Sequence, residues 1–265
     1  MMGSKKPTLL VIDLGNTDLG IGLFTGDALS PHWRLATDYR RTTDEYGLQL
    51  KGLLESIDEH PIKLDGICLS SVVPPLTRQV VEACQTYLRL DPLVVSARLK
   101  LGVKVLYEPP EAVGPDRLAD AAAAFSMFGG PVCVVDFGTA TTMNAITKSG
   151  EYTGGAIAPG LGISADALVQ RTSKLQAVAL EAPPSPIGRN TTHAIQAGLI
   201  FGYVSMIEGM LERFRKELGT DMQVIGTGGY IHVLGKHIPA IQHIDPWLTL
   251  KGLRLIWEMN RGTNG

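Results

Sequence analysis

Two short segments, nearly half the chain apart, share one pattern. Leu10–Thr17 reads LVIDLGNT and Val134–Thr141 reads VVDFGTAT. Each is an apolar strand closed by Asp-x-Gly, then small polar residues, then a second apolar strand. A lone Asp-x-Gly is commonly just a β-turn with glycine at positive φ. A pair, each behind a buried strand, points instead to an internal duplication and two α/β halves. The boundary is expected near Gly129–Gly130, giving halves of residues 1–129 and 130–265.

The rest of the chain fits an α/β reading. Thr8–Asp13, Gly20–Phe24 and Trp33–Ala36 read as strands separated by turn residues, an antiparallel meander. Thr43–Glu59 carries Tyr46, Leu50, Leu53, Leu54 and Ile57 on one helical face, with Thr42 or Thr43 as cap. Gly66–Ser70 and Leu93–Val95 read as strands and Gln79–Leu88 as a helix. In the second half Pro131–Asp136, Thr141–Thr147, Tyr152–Ala158 and Met222–Ile225 read as strands. Helices are expected from about Asp116 to Phe128, Thr191 to Leu218 and Leu248 to Asn260. The Gly-dense Gly154–Gly162 reads as a tight corner, lining a pocket or simply packed.

Composition narrows the function classes. At 265 residues, 45% apolar and 19% charged, the chain can bury enough surface to order itself. A net charge of −2 argues against whole-chain attraction to nucleic acid or anionic lipid. No uninterrupted apolar run reaches the length that spans a bilayer, and Leu9–Ile12 is too short for a signal-peptide core. Cys68, Cys84 and Cys133 are odd in number and far apart, which suits reduced thiols in the cytoplasm. The histidines lack metal-site spacing, and the Walker A, GxSxG and GxGxxG signatures are missing.

The hairpins carry the chemistry. Glycine beside small hydroxyl residues lets backbone N–H groups converge on one spot, a cradle for phosphate. Asn16 and Thr17 add side-chain donors, while Asp13 suits a hydrated Mg²⁺ that bridges phosphates. Asp136, Gly138, Thr139, Thr141 and Thr142 repeat the equipment, so the two hairpins together would clamp a polyphosphate. Val224–Tyr230 (VIGTGGY) offers Gly228 and Gly229 as a flat seat for a nucleoside, or merely a helix-entry turn. Gly114–Arg117 (GPDR) opens a helix. Asp116 there is either a helix cap or an acid/base carboxylate, with Arg117 able to grip a substrate carboxylate. Gly188–Thr191 (GRNT) opens the long helix, as a cap or an anion site.

Duplicated Asp-x-Gly hairpins with a late Thr-Gly-Gly are the pattern of the acetate/sugar kinase, Hsp70 and actin superfamily. Within it the chain closely resembles the type III pantothenate kinases of bacteria. The resemblance runs from about Thr8 to Asn260, on DLGNT, YEPPEAVGPDR, DFGTATT, GGAIAPG and GRNT in that order, with LTLKGL near the end. It implies two actin-like (ribonuclease H-like) α/β domains with mixed five-stranded sheets flanked by helices. It also implies ATP-dependent phosphorylation of pantothenate to 4′-phosphopantothenate, the first step towards coenzyme A.

Carried over by position, Asp13, Leu14, Gly15, Asn16, Thr17, Asp18, Leu19 and Gly20 would hold ATP phosphates, with Asp13 near Mg²⁺. Thr139, Gly228 and Gly229 would also meet ATP. Asp116 would accept the proton of the attacking hydroxyl. Tyr107, Gly114, Pro115, Asp116, Arg117 and Thr191 would line the pantothenate site, and Asp136 would bind K⁺ or ammonium. The resemblance further implies a cytoplasmic homodimer, with Thr191–Leu218 a candidate for part of the interface. Where some relatives carry a basic residue just after the first hairpin, this chain has Asp18 and Leu19. The alternatives are another small-molecule kinase of the superfamily, or a non-catalytic accessory factor for transcription on the same fold. The first is usually longer, and the second has no need of Asp116, Arg117 and Asp136 together.

Overall fold

The computed structural model describes residues 6–57 and 62–262. The chain divides into two compact units, Met1–Gly102 with Glu108–Ala123 and Thr249–Gly265, and Val103–Tyr107 with Ala124–Leu248.

The first unit opens with strands β1 (Thr8–Leu14), β2 (Asp18–Thr25) and β3 (Ala28–Ala36). They pair antiparallel in sequence, the expected meander. Helix α1 (Thr43–Glu55) begins at Thr42, whose side chain and that of Glu45 cap each other's backbone N–H. It ends at Ser56, short of the expected Glu59; Asp58 and Glu59 lie outside the described residues. Strand β4 (Gly66–Ser71) returns parallel to β1, and α2 (Pro74–Ala83) follows. Pro74 and Pro75 start α2 earlier than its apolar periodicity suggests, because proline suits a first turn. The helix then loosens into a single π-type turn over Cys84–Leu88. Strand β5 (Leu93–Val94) completes the sheet in the order β3-β2-β1-β4-β5.

The two-residue β6 (Lys104–Val105) belongs to the second unit, and the division of units falls within helix α3 (Pro115–Phe128). Strands β7 (Val132–Phe137), β8 (Ala140–Ile146) and β9 (Glu151–Pro159) form a second antiparallel meander. Helices α4 (Leu161–Arg171) and α5 (Thr191–Leu218), strand β10 (Gln223–Thr227), helix α6 (Ile231–Leu234) and strand β11 (His243–Ile244) follow, and α7 (Leu248–Asn260) closes the chain. The second sheet runs β11-β10-β7-β8-β9-β6. Without β6 this is the order and direction of the first sheet, so the duplication extends to topology. It has six strands rather than the expected five, because Lys104–Val105 adds to the β9 edge.

Two further expectations change. The Gly-dense 154–162 segment is not a corner but the end of β9 and the entry to α4. Its glycines serve close approach: a Cβ on Gly155 would strike the Met143 carbonyl, and one on Gly160 the Thr139 carbonyl. And α7 belongs with the first unit rather than the second. Its Leu250 lies against Gly22 of β2, Trp257 fills the space over Gly66, and Thr249 donates to Asp120 at 2.7 Å.

Each unit has its own apolar core. In the first, Leu10, Ile12 and Leu14 of β1 meet Ile67 and Leu69 of β4 beneath Tyr46 and Leu50 of α1. In the second, Cys133, Val135 and Phe137 of β7 meet Leu199, Ile200 and Ile207 of α5. Helix α5 is long and apolar enough by composition to cross a bilayer, with a mean hydropathy of 1.4 over its best window. Its buried residues nevertheless pack against the second sheet in this core.

Gly252 tests the seating of α7. A Cβ there would strike the backbone of Ala119 in α3, which cannot rotate away as a side chain can. Gly252→Ala is expected to destabilise by roughly 2–3 kcal/mol through overpacking. Gly52→Ala on α1, where a Cβ meets open space, should be neutral or stabilising by up to about 1 kcal/mol. Thermal unfolding of both variants checks the contrast, and equal midpoints would refute the close contact.

Candidate active site

In the first unit β1 ends at Asp13 and Leu14, and the chain reverses through Gly15, Asn16 and Thr17 into β2. The Gly15 N–H donates to the Asp18 carbonyl at 2.9 Å, and a Cβ on Gly15 would press on that oxygen at 3.0 Å. The turn is braced from outside. Thr37 Oγ1 donates to the Gly15 carbonyl at 2.7 Å, and Tyr39 OH donates to Asn16 Oδ1 at 3.1 Å. Asn16 and Thr17 are exposed, while Asp13 is half-buried opposite Gly20. Asp18 pairs with Arg34 rather than facing the turn. The cation beside this hairpin is therefore one strand away, on β3.

The Gly114–Arg117 segment lies in the same unit. Val72 follows the end of β4, and its N–H donates to the carbonyl of Leu14 in β1 at 3.1 Å. A Cβ built on Gly114 would come 3.6 Å from Val72 Cγ1 and would collide with Asp116 Oδ1. Glycine thus lets the Asp116 carboxylate fold back over the loop, next to Val72 at the end of β4. Asp116 Oδ1 accepts the Arg117 N–H at 2.8 Å. Burial pushes the Asp116 carboxyl above its ordinary value, opposed by that N–H and by the Arg117 charge. Arg117 itself is buried.

In the second unit β7 ends at Asp136 and Phe137, and Gly138 and Thr139 turn the chain into β8. Asp136 stands in register between Thr142 of β8 and Thr227 of β10, both buried hydroxyl residues. Gly228, at φ +90°, lies against the Asp136 carboxylate and the Phe137 backbone, where a Cβ would clash with both. Tyr230 N–H then donates to the Phe137 carbonyl at 3.1 Å. Thr227–Tyr230 is thereby held on the hairpin and also leads into α6, with Tyr230 as the N-cap, so the helix-entry turn is present.

Tyr107 continues from β6, and its ring lies against Gly154 of β9, 3.3 Å from where a Cβ would stand. Gly154 has φ +126°, so its bare face suits that ring. Thr191 opens α5 and is exposed; Asn190 caps the helix, accepting the His193 N–H at 2.8 Å.

The structure thus places Asp13–Gly20 and Gly114–Arg117 in one unit, and Asp136, Thr139, Gly228 and Gly229 in the other, with Gly228 directly against Asp136 and with Tyr107 and Thr191 elsewhere on that unit. Sequence reading missed a buried polar relay on β8. Tyr203 OH donates to Thr141 Oγ1 at 3.2 Å, Asn144 Nδ2 to Thr142 Oγ1 at 3.2 Å, and Tyr152 OH to Asn144 Oδ1 at 3.0 Å. Thr-Thr-x-Asn inside an otherwise apolar strand was the available signal.

The donor set suits magnesium phosphates. Among the described residues no group of three or more His, Cys, Asp or Glu side chains could hold a metal. Mg²⁺ is commonly held by one or two carboxylates plus substrate phosphates and water, which a half-buried Asp13 beside a Gly–Asn–Thr turn can supply.

Two duplicated hairpin units of this kind define an actin-like α/β fold. Solved structures agree: a Baf family transcriptional activator from Campylobacter jejuni matches with TM-score 0.59 at 20% identity, covering 95% of this chain and 98% of that one. An inorganic polyphosphate/ATP-glucomannokinase from Arthrobacter sp. strain KM matches with TM-score 0.51 at 14% identity, covering 95% and 99%. At sequence level the family profile of type III pantothenate kinase matches residues 9–213. A type III pantothenate kinase of Roseiflexus sp. (strain RS-1) is 47% identical over 253 residues, 96% of this chain and 99% of that protein. One from Moorella thermoacetica is 44% identical over 95% of this chain and 99% of that protein. The chain belongs to the type III pantothenate kinase family.

Gly228→Ala tests the close approach at the second hairpin. It would force a Cβ onto Asp136 and the Phe137 backbone at a φ that side chains avoid. Thermal stability should fall, read by thermal unfolding. A wild-type midpoint would disprove the close approach.

Proposed function

We propose that this protein transfers the γ-phosphoryl group of ATP to the 4′-hydroxyl of pantothenate. One observation carries the reading: a half-buried carboxylate, Asp116, with raised proton affinity, folded over Gly114 next to Val72 at the end of β4. Membership of the family supplies the acceptor.

Asp116 takes the proton of the attacking hydroxyl as its oxygen bonds to the γ-phosphorus. The bond from that phosphorus to the bridging oxygen breaks, and ADP leaves with the electron pair. Positioning and charge stabilisation do most of the work in such a transfer. Backbone N–H groups of Gly15–Thr17, with the Asn16 and Thr17 side chains, cradle the phosphates. Mg²⁺, when bound at Asp13, neutralises phosphate charge. Arg117 meets the pantothenate carboxylate, and Tyr107, Gly114, Pro115 and Thr191 make its remaining contacts. Thr139, Gly228 and Gly229 contact ATP, and Asp136 binds K⁺ or ammonium.

ADP release from ATP and Mg²⁺, with and without pantothenate, in potassium and then sodium buffer, tests this directly. Pantothenate-dependent turnover that requires potassium is expected. Asp136→Asn should blunt the potassium response, and turnover without pantothenate would move the bet to another acceptor. Asp116→Asn should lower kcat by about 10²–10⁴, the usual worth of a positioned base. A base works only when deprotonated, so the rate should fall as pH drops through the Asp116 pKa. Burial raises that pKa, so the acid limb should lie above the ordinary carboxylate value of about 3.9. A limb at or below that value would remove Asp116 from the role.

The same reading makes the protein a cytoplasmic homodimer. Three free, well-separated cysteines, all buried, carry no disulfide framework, which suits a reducing compartment. The outer face of α5 carries Ala194, Gly198, Gly202 and Ser205, all exposed, and a Cβ at either glycine meets open space. Small residues at this spacing let a second helix approach closely, so a second copy of the chain is assigned to this face. Light scattering should report a dimer for the wild type and a monomer for Gly202→Glu; a dimer in both would place the interface elsewhere.

A further inference from the structure

Four buried side-chain polar atoms lack a hydrogen-bond partner among the described residues: Ser70 Oγ, Gln79 Oε1, His237 Nε2 and Arg254 Nε. One of them adjoins the candidate site. Ser70 is the penultimate residue of β4, is 0% exposed, and stands in parallel register with Asp13 of β1. Residues in register across a sheet present their side chains on one face. Leu10, Ile12, Ile67 and Leu69 take the face of the first unit's core, so Asp13 and Ser70 share the opposite one. Adjacent strands lie about 4.8 Å apart, within reach of a direct or one-water hydrogen bond between hydroxyl and carboxylate.

The duplication gives independent support. In the second unit Thr227 of β10 stands in parallel register with Asp136 of β7, and it too is buried. Strands β4 and β10 occupy equivalent places in the two sheets. Both units thus set a buried hydroxyl residue beside the aspartate that closes the hairpin's first strand. An unsatisfied buried hydroxyl costs about 1–3 kcal/mol. Ser71 beside it has partners, with its Oγ bonded to Thr77 Oγ1 at 2.7 Å and accepting the Val73 N–H at 3.2 Å, whereas Ser70 Oγ has none.

We propose that Ser70 is a positioning residue for Asp13: its Oγ–H, unpartnered in the unliganded protein, donates to the carboxylate, directly or through one water, when the magnesium–nucleotide binds. The inference rests on the assignment of Asp13 to Mg²⁺ above. Hydrogen-bond partners that orient a ligating carboxylate are commonly worth 10–100-fold in metal affinity. Ser70 touches neither substrate nor metal and acts through Asp13.

The test compares wild type, Ser70→Ala and Asp13→Asn. Binding of Mg·ADP and of metal-free ADP is measured by calorimetry, and unfolding is measured without ligand. Ser70→Ala should weaken Mg·ADP binding about tenfold while leaving metal-free ADP binding unchanged. Its unliganded unfolding midpoint should hold or rise, because the variant removes an unsatisfied hydroxyl. A purely structural serine would change stability without separating the two ligands. If Asp13→Asn weakens Mg·ADP and Ser70→Ala does not, the role of Ser70 is overturned and that of Asp13 stands. If Asp13→Asn leaves Mg·ADP binding unchanged, the assignment of Asp13 fails and the proposal fails with it. Ser70→Thr, which keeps the hydroxyl, should restore Mg·ADP binding; a loss equal to that of Ser70→Ala, at unchanged stability, would also overturn the proposal.

Discussion

Register is the constraint from which the site follows. Strand β1 is buried on both faces from Leu9 to Ile12, and Asp13 after them is half-buried. The alternate residues Leu10, Ile12 and Leu14 are committed to the first core, which leaves Asp13 on the other face. A slip of one residue would drive the carboxylate into that core and expel an isoleucine or leucine. The same holds for β7, where Cys133, Val135 and Phe137 commit to the second core and leave Asp136 facing away. The apolar bodies of the strands therefore aim the two carboxylates, with no dedicated scaffold for either.

Glycine then decides how closely other segments approach those carboxylates. Gly114 lets Asp116 fold over its own loop, and Gly228 lets a strand end lie on Asp136. In each case the space a side chain would fill is taken by a carboxylate. This differs from flexibility, because the contacts are tight and the neighbours are held by hydrogen bonds such as Tyr230 to Phe137. Gly155, Gly160 and Gly252 do the same for backbone, each lying where a Cβ would strike another segment's carbonyl.

Local features were legible in the sequence, and non-local ones were not. The paired hairpins, the meanders and the capped start of α1 depend on residues a few positions apart, and the sequence states them. The two-residue β6 and β11 have no periodicity to detect, and they exist only because a neighbouring strand offers an edge. Helix α4 begins at Leu161-Gly162, where glycine lowers helix propensity, so its start looked like the end of a turn. The seating of α7 with the first unit depends on Gly66 and Gly252 leaving room for Trp257 and Ala119, a fit between segments far apart in sequence. The site divides the same way. Asp13, Asp136 and Asp116 stand in recognisable motifs, but Ser70 gains meaning only from pairing with a strand 57 positions earlier in the sequence.

The fold alone leaves the phosphoryl acceptor open, since structures at 14–20% identity share it under quite different titles. What this chain adds is the start of α3. That helix is buried along most of its length, with Leu118, Ala119 and Ala121–Ala124 nearly inaccessible, so its first turn is held rigidly. Burial raises the proton affinity of Asp116, whereas the Arg117 N–H and the positive end of the helix favour the charged form. These opposed influences meet at the first turn of α3, next to Val72 at the end of β4, and they are the physical ground for the proposal that Asp116 takes the hydroxyl proton.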